Sequence, residues 1–247
     1  MSLRIQKVLS RVGIASRRNI ERMIQEKRIE VNGEIIKKLG FLINIENDTV
    51  LIDKQQVLIS EYYQQESIYY VINKPYGVIS STKDEHNRLC VIDLIKANKG
   101  FRIYSVGRLD YDAEGVLLLT NDGALANKLL HPSNSIKRVY SVKVKGFPCQ
   151  YELNKIKKIF SLQYSKQHTL SVLIKKTTKK NTWFKVVLYR GQNKQIKHMF
   201  WRIKHPVIKI IRVSFAGINV SGLSPGEYRF LTNLEILKLK KRVHIIS

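Results

Sequence analysis

The strongest local instruction in the chain is Asn32-Gly33, set between the alternating Arg28-Ile29-Glu30-Val31 and the returning Glu34-Ile35-Ile36. A two-residue hairpin turn needs positive φ at both central positions, and Asn and Gly tolerate that best. The segment is therefore expected to form a tight hairpin. Ahead of it, Ile5, Val8, Leu9 and Val12 recur at i, i+3, i+4 and i+7, which predicts a helix over 4–12 that Gly13 ends. Ser16 reads as the N-cap of a second helix with Ile20, Met23 and Ile24 as its buried stripe. Arg17, Arg18 and Arg22 are left to the outer face. A strand at Thr49–Asp53 closes this small unit by about residue 60.

The polar stretch 60–66 reads as a linker, so the expected domains are 1–60 and 67–247. Beyond it, strands are expected at Ile68–Ile72, Val116–Leu119, Val139–Val144, Leu170–Ile174, Phe184–Leu188, Ile208–Val213 and Tyr228–Leu231. Helices are expected at Val91–Ala97, Gly123–Leu130 and Ile196–Ile203. Lys74-Pro75-Tyr76-Gly77 is a turn. Without strict βαβ alternation, the larger unit is α+β with a mainly antiparallel, mixed sheet.

Charge narrows the partner. The 247 residues include 44 Lys+Arg against 19 Asp+Glu, a formal net charge of +25. A folded protein with that excess calls for a polyanion. AT-rich codon usage accounts for lysines such as Lys175, Lys176, Lys179, Lys180, Lys238, Lys240 and Lys241, but not for Arg4, Arg11, Arg17, Arg18, Arg22 and Arg28 crowding the first 30 residues. Basic segments this short, without Trp or Phe on an apolar face, suit nucleic acid better than a membrane surface. No apolar run reaches the ~18 residues of a membrane span, and no secretory signal is evident. Cys90 and Cys149 lie far apart, which fits a reducing cytoplasm and argues against a zinc site.

Leu3-Arg4-Ile5-Gln6-Lys7-Val8-Leu9, Gly13-Ile14-Ala15-Ser16-Arg17-Arg18 and Ile29-Glu30-Val31-Asn32-Gly33 resemble the S4 RNA-binding domain. The resemblance implies contacts with structured RNA through Arg4, Ser16, Arg17, Arg18, Arg28 and Asn32.

The densest carboxylate group is Gly107-Arg108-Leu109-Asp110-Tyr111-Asp112-Ala113-Glu114-Gly115. As a calcium loop it fails, because Asn121 stands where the bidentate Glu belongs and a buried strand interrupts the ligands. A magnesium nuclease would need further acids that the later chain barely offers. A solvated loop, or a carboxylate nucleophile or acid/base beside a cation, remain.

Tyr104-Ser105-Val106-Gly107-Arg108-Leu109-Asp110, continuing to Gly123, resembles the central motif of ribosomal RNA pseudouridine synthases of the RsuA/RluB group. Asn73-Lys74-Pro75-Tyr76-Gly77-Val78, Ala126-Asn127-Lys128-Leu129-Leu130-His131-Pro132, Lys137-Arg138-Val139-Tyr140 and Gly191–Phe200 extend it. The resemblance implies that uridine in ribosomal RNA is isomerised: the N1–C1′ bond breaks, uracil turns, and it rejoins through C5. No cofactor and no metal are implied. Asp110 matches the essential aspartate, Lys197 the basic position beside it, and Tyr140 the tyrosine that stacks on the flipped base. Lys74, Arg108 and Gln195 join the RNA-contacting set by the same resemblance. Arg190 and His198 depart from the family pattern, and Lys at 197 keeps the charge but not the bidentate fork. The expected substrate is large-subunit (23S) ribosomal RNA or an assembly intermediate, and the protein is expected to be a cytoplasmic monomer. The rivals are a small-subunit synthase and a non-catalytic ribosome assembly factor.

Overall fold

The computed structural model describes residues 2–60, 66–96, 102–163 and 171–246. The chain divides into two compact units, Met1–Ser67 with Ala97–Ile103, and Ile68–Lys96 with Tyr104–Ser247. The sequence suggests one crossing between units. The structure instead returns the chain to the first unit, where Arg102 donates to Ser10 Oγ at 3.1 Å. Most of the linker stretch, 61–65, lies outside the described residues, as do Ala97 and Leu170.

In the first unit, β1 (Ser2–Arg4) runs into α1 (Ile5–Arg11), and α2 (Arg17–Gln25) follows. The helix expected over 4–12 thus starts one residue late, because Ser2–Arg4 pairs antiparallel with β4 (Leu42–Asn44) and holds Arg4 extended. Ser16 caps α2 by accepting from the Asn19 amide at 3.1 Å. Asn32 and Gly33 take φ of 52° and 84°, the mirror-turn conformation that closes β2 (Ile29–Val31) onto β3 (Glu34–Ile35). β5 (Val50–Ile52) and β6 (Gln55–Val57) complete a four-stranded sheet ordered β3-β2-β5-β6. Ile5, Val8, Leu9, Ile20, Ile24 and Ile29 are fully buried together, so the helical stripe and the hairpin share one core.

The second unit is built on an eight-stranded sheet. Its strands are β7 (Tyr69–Lys74), β8 (Tyr104–Ser105), β9 (Ala113–Thr120), β10 (Arg138–Lys145), β11 (Ser171–Thr177), β12 (Asn181–Leu188), β13 (Val207–Phe215) and β14 (Tyr228–Phe230). Their order is β11-β12-β10-β13-β9-β7-β14, with β8 against β9. All pairings are antiparallel except β13 with β9. That parallel seam requires Gly115: its φ is +104°, and a Cβ there would stand 2.2 Å from the Arg212 carbonyl oxygen. The helices are α3 (Gly123–Leu130), α4 (Gln150–Gln163), α5 (Gln195–Trp201) and α6 (Asn233–Arg242). Val71, Val116, Leu118, Leu125, Leu129, Phe215 and Leu239 join the β7–β9 half of the sheet to α3 and α6 in one core. The helix expected at Val91–Ala97 is a single 3₁₀ turn, Val91–Leu94: the Cys90–Asp93 capping box starts it, and Ile95, at φ −90° and ψ 83°, has already left helical geometry.

Candidate active site

Asp110 lies in the loop entering β9, and the end of β7 with the segment after it fixes that loop by four hydrogen bonds. Lys74 Nζ donates to the Ala113 carbonyl at 2.8 Å and to the Pro75 carbonyl at 3.0 Å. The Gly77 amide donates to the Tyr111 carbonyl at 2.9 Å. Ser80 Oγ donates to the Leu109 carbonyl at 2.9 Å and accepts from the Leu109 amide at 3.1 Å. The residue immediately before Asp110 is therefore held at both ends of its backbone. A buried polar group left unpaired costs ~1–3 kcal/mol, so these bonds strongly favour one loop conformation.

This corrects one expectation. Lys74 is completely buried and its ammonium is spent on main-chain carbonyls, so it cannot reach RNA in this fold. Burial pulls its pKa down to about 8, partly opposed by the charges of Glu114, Asp112 and Asp110 and reinforced by Arg212.

Lys197, on α5, faces the same loop. Its Nζ is 3.4 Å from Asp110 Oδ2 and donates to Asp112 Oδ1 and Oδ2 at 2.6 and 2.7 Å. Partial burial opposes the charged ammonium, but the Asp112 hydrogen bond and the two carboxylate charges outweigh it and leave the pKa raised. Asp112 is the closer partner, a pairing that the sequence pattern did not single out. Glu114, the second residue of β9, pairs instead with Lys209 at 2.9 Å. Asp110 and Asp112 thus share Lys197 while Glu114 is taken by Lys209, and among the described residues no group of three or more His, Cys, Asp or Glu is arranged to hold a metal.

An open cleft adjoins Asp110. Arg108, Asp110, Tyr140, Leu188, Gln195 and Ile210 are among its walls. Tyr140, on β10, is nearly buried and presents an apolar ring beside the carboxylate. Across β13 it pairs with Arg212, whose buried guanidinium donates from Nε to the Val116 carbonyl at 2.7 Å and lies 5.0 Å from the Phe215 ring centroid. Gln195 Oε1 accepts from the Gln192 amide at 3.2 Å, while its buried Nε2 has no partner among the described residues. Arg108 is exposed at the cleft. Of the departures noted above, His198 is exposed on α5 and the buried Nε of Arg190 has no partner among the described residues.

In the first unit, Arg4, Arg17 and Arg18 are exposed. Ser16 is occupied as a cap. Arg28 is exposed but forked onto Asp53, with Nε donating at 2.8 Å, and paired with Glu26 at 3.2 Å. Asn32 uses both ends of its amide internally: Nδ2 donates to Asp48 at 3.0 Å, and Oδ1 accepts from the Thr49 amide at 2.9 Å.

A carboxylate loop braced by β7, a lysine bridging two aspartates, and a buried tyrosine at an open cleft define a site able to engage a flipped base beside an acid. The match to protein families gives that arrangement its class. Residues 68–201 match the RNA pseudouridylate synthase model and residues 3–50 match the S4 domain model. The chain belongs to the RNA pseudouridine synthase family and carries an S4 RNA-binding domain. It is 38% identical over 96% of its length to "Ribosomal large subunit pseudouridine synthase B" of Bacillus subtilis, covering 95% of that protein. It is 35% identical over 97% of its length to the protein of the same name in Buchnera aphidicola, covering 94% of it. A crystal structure of a pseudouridylate synthase shares the fold, with a TM-score of 0.62 at 23% identity over 96% of this chain and 99% of that one. Among the described residues, no helix is long and apolar enough to cross a membrane.

Proposed function

We propose that this pseudouridine synthase converts uridine to pseudouridine in large-subunit ribosomal RNA, with Asp110 as the reacting carboxylate. The observation that carries the reading is Asp110 at the cleft with Lys197 Nζ 3.4 Å away and Tyr140 in the adjoining wall. A target uridine flipped into the cleft stacks on the Tyr140 ring, which replaces the stacking lost from its neighbours. Asp110 assists departure of the uracil, either by adding to the ribose or by removing the 2′ proton. The Lys197 ammonium offsets the charge of the two carboxylates. The freed uracil turns and its C5 bonds to C1′. The C5 proton then leaves to a base and N1 regains a proton, so the sum is an isomerisation. The unpaired Nε2 of Gln195 is available to donate to a uracil carbonyl.

The exposed Arg4, Arg17 and Arg18 provide electrostatic contacts for RNA outside the cleft. Names of the relatives support the large subunit as the source of substrate. The working form is read as a cytoplasmic monomer. Pseudouridine mapping of unmodified 23S ribosomal RNA, and of assembly intermediates, after incubation with wild type and with Asp110→Asn tests the reading. A new site made by wild type alone supports it. RNA bound by both proteins with no product on any substrate overturns it in favour of an assembly factor.

A further inference from the structure

The face of the large sheet opposite Tyr140 carries an organised basic row. Along β10, Tyr140 faces the cleft side and Lys143, three residues on, the other side. Lys143 is the register partner of both Trp183 on β12 and Lys209 on β13, and Trp183 in turn pairs with Lys176 on β11. Four adjacent strands therefore align Lys176, Trp183, Lys143 and Lys209 in one line. Lys143 Nζ lies 5.9 Å from the Trp183 ring centroid. Lys185, two residues from Trp183 on β12, points to the same side and is exposed. Glu114 answers Lys209 at 2.9 Å.

Folding does not explain this row. Like charges directly opposite each other weaken a sheet, and Lys143 stands opposite Lys209. Edge lysines guard against unwanted strand pairing, but that covers only Lys176 on the outermost β11. Lys143, Lys185 and Lys209 sit on interior strands, where a sheet face is ordinarily covered. An indole flanked by lysines at strand spacing has the chemistry of a single-stranded nucleic-acid platform, with a base against the ring and phosphates at the ammonium groups.

We propose that this face is a second RNA-binding surface, which holds a single-stranded stretch of the substrate RNA beyond the cleft. It rests on the reading of the protein as a ribosomal RNA modifier. The surface adds affinity and does not enter the chemistry.

The test compares wild type with Lys143→Gln/Lys185→Gln, and with a control of equal charge loss, Lys155→Gln/Lys157→Gln on α4. Affinity for unmodified 23S ribosomal RNA transcript is measured across a salt series, and kcat at saturating RNA on the same preparations. The expected result for the sheet-face variant is about tenfold weaker binding and a salt slope shallower by about 1.4 to 1.8, with kcat unchanged. The control should move much less. Wild-type binding and slope in the folded sheet-face variant would overturn the proposal and leave the face to another partner, such as an acidic protein. Equal weakening in both variants would overturn it as a general charge effect. Should the double variant not fold, Lys176→Gln/Lys185→Gln, both on exposed side chains, carries the same comparison. A wild type that makes no pseudouridine would sink the reading of the chemistry while leaving the affinity comparison intact.

Discussion

Ser80 holds Leu109 by both backbone polar groups, its hydroxyl donating to the carbonyl at 2.9 Å and accepting from the amide at 3.1 Å. Both residues are buried. Asp110 is the next residue, so the position of its carboxylate depends on a hydroxyl thirty positions earlier in the chain.

Ser80→Ala leaves two buried backbone groups unpaired and should cost about 1–3 kcal/mol of stability. It should also lower kcat by about tenfold or more, because small displacements of a reacting group are expensive. Ser80→Thr keeps the hydroxyl and should recover most of the rate. Steady-state kinetics with urea unfolding checks this. A stable Ser80→Ala enzyme with wild-type kcat would show that the clamp does not govern Asp110.

Lys197 divides its contacts unequally between Asp112 and Asp110, and that predicts unequal consequences. Asp112→Asn leaves the ammonium free to move onto Asp110 and should keep kcat within about tenfold of wild type. Lys197→Met leaves two neighbouring carboxylates uncompensated and should reduce kcat about a hundredfold. Single-turnover rates distinguish the two. An Asp112→Asn enzyme as slow as Asp110→Asn would give Asp112 a direct part in the chemistry.

Lys74 gives a pH signature in stability. Its folded pKa of about 8 lies below its ordinary value of 10.5. Between those values the unfolded chain binds more protons than the folded one, so stability from this group rises with pH across that window. It is lost as pH falls through 8. The slope is at most ~1.4 kcal/mol per pH unit. Urea unfolding of wild type and Lys74→Met from pH 7 to 10.5 should show wild type gaining on the variant as pH rises. Parallel curves would mean that Lys74 titrates normally.

Gly115→Ala should be among the most damaging single-methyl additions in the chain. The new Cβ meets the Arg212 carbonyl oxygen at 2.2 Å in the parallel seam, in a backbone conformation that L-residues avoid. A loss on the order of 3 kcal/mol or more is expected, read as poor soluble yield or an early unfolding midpoint. A variant of wild-type stability would mean that the β9–β13 seam is looser than this geometry.

Legibility of the chain followed the strength of its local signals. The apolar spacing of Ile5, Val8 and Leu9, the Ser16 cap and the Asn32-Gly33 turn each specify one conformation, and the first unit folds around them. Helix α3 matches its expected limits of Gly123–Leu130, with Asp122 capping it. The helices α4 and α6 were not legible, because lysines dilute their apolar stripes. For α6 a usable signal was present: Thr232 and Glu235 form a capping box just ahead of Lys238, Lys240 and Lys241. At the site, sequence motifs brought Asp110, Lys197 and Tyr140 to attention. They could not tell that Lys74 points inward, since the same ammonium can meet a phosphate or a main-chain carbonyl. Nor could they rank Asp112 above Asp110 as the partner of Lys197, which is settled by the reach of α5 across the loop.

The most direct test of the central claim is release of tritium from C5 of uridine in labelled large-subunit ribosomal RNA, since rejoining through C5 expels that hydrogen. Wild type should release tritium in step with pseudouridine formed. Asp110→Asn should bind the RNA with similar affinity and release none. Tritium release by Asp110→Asn at a rate near wild type would contradict the account.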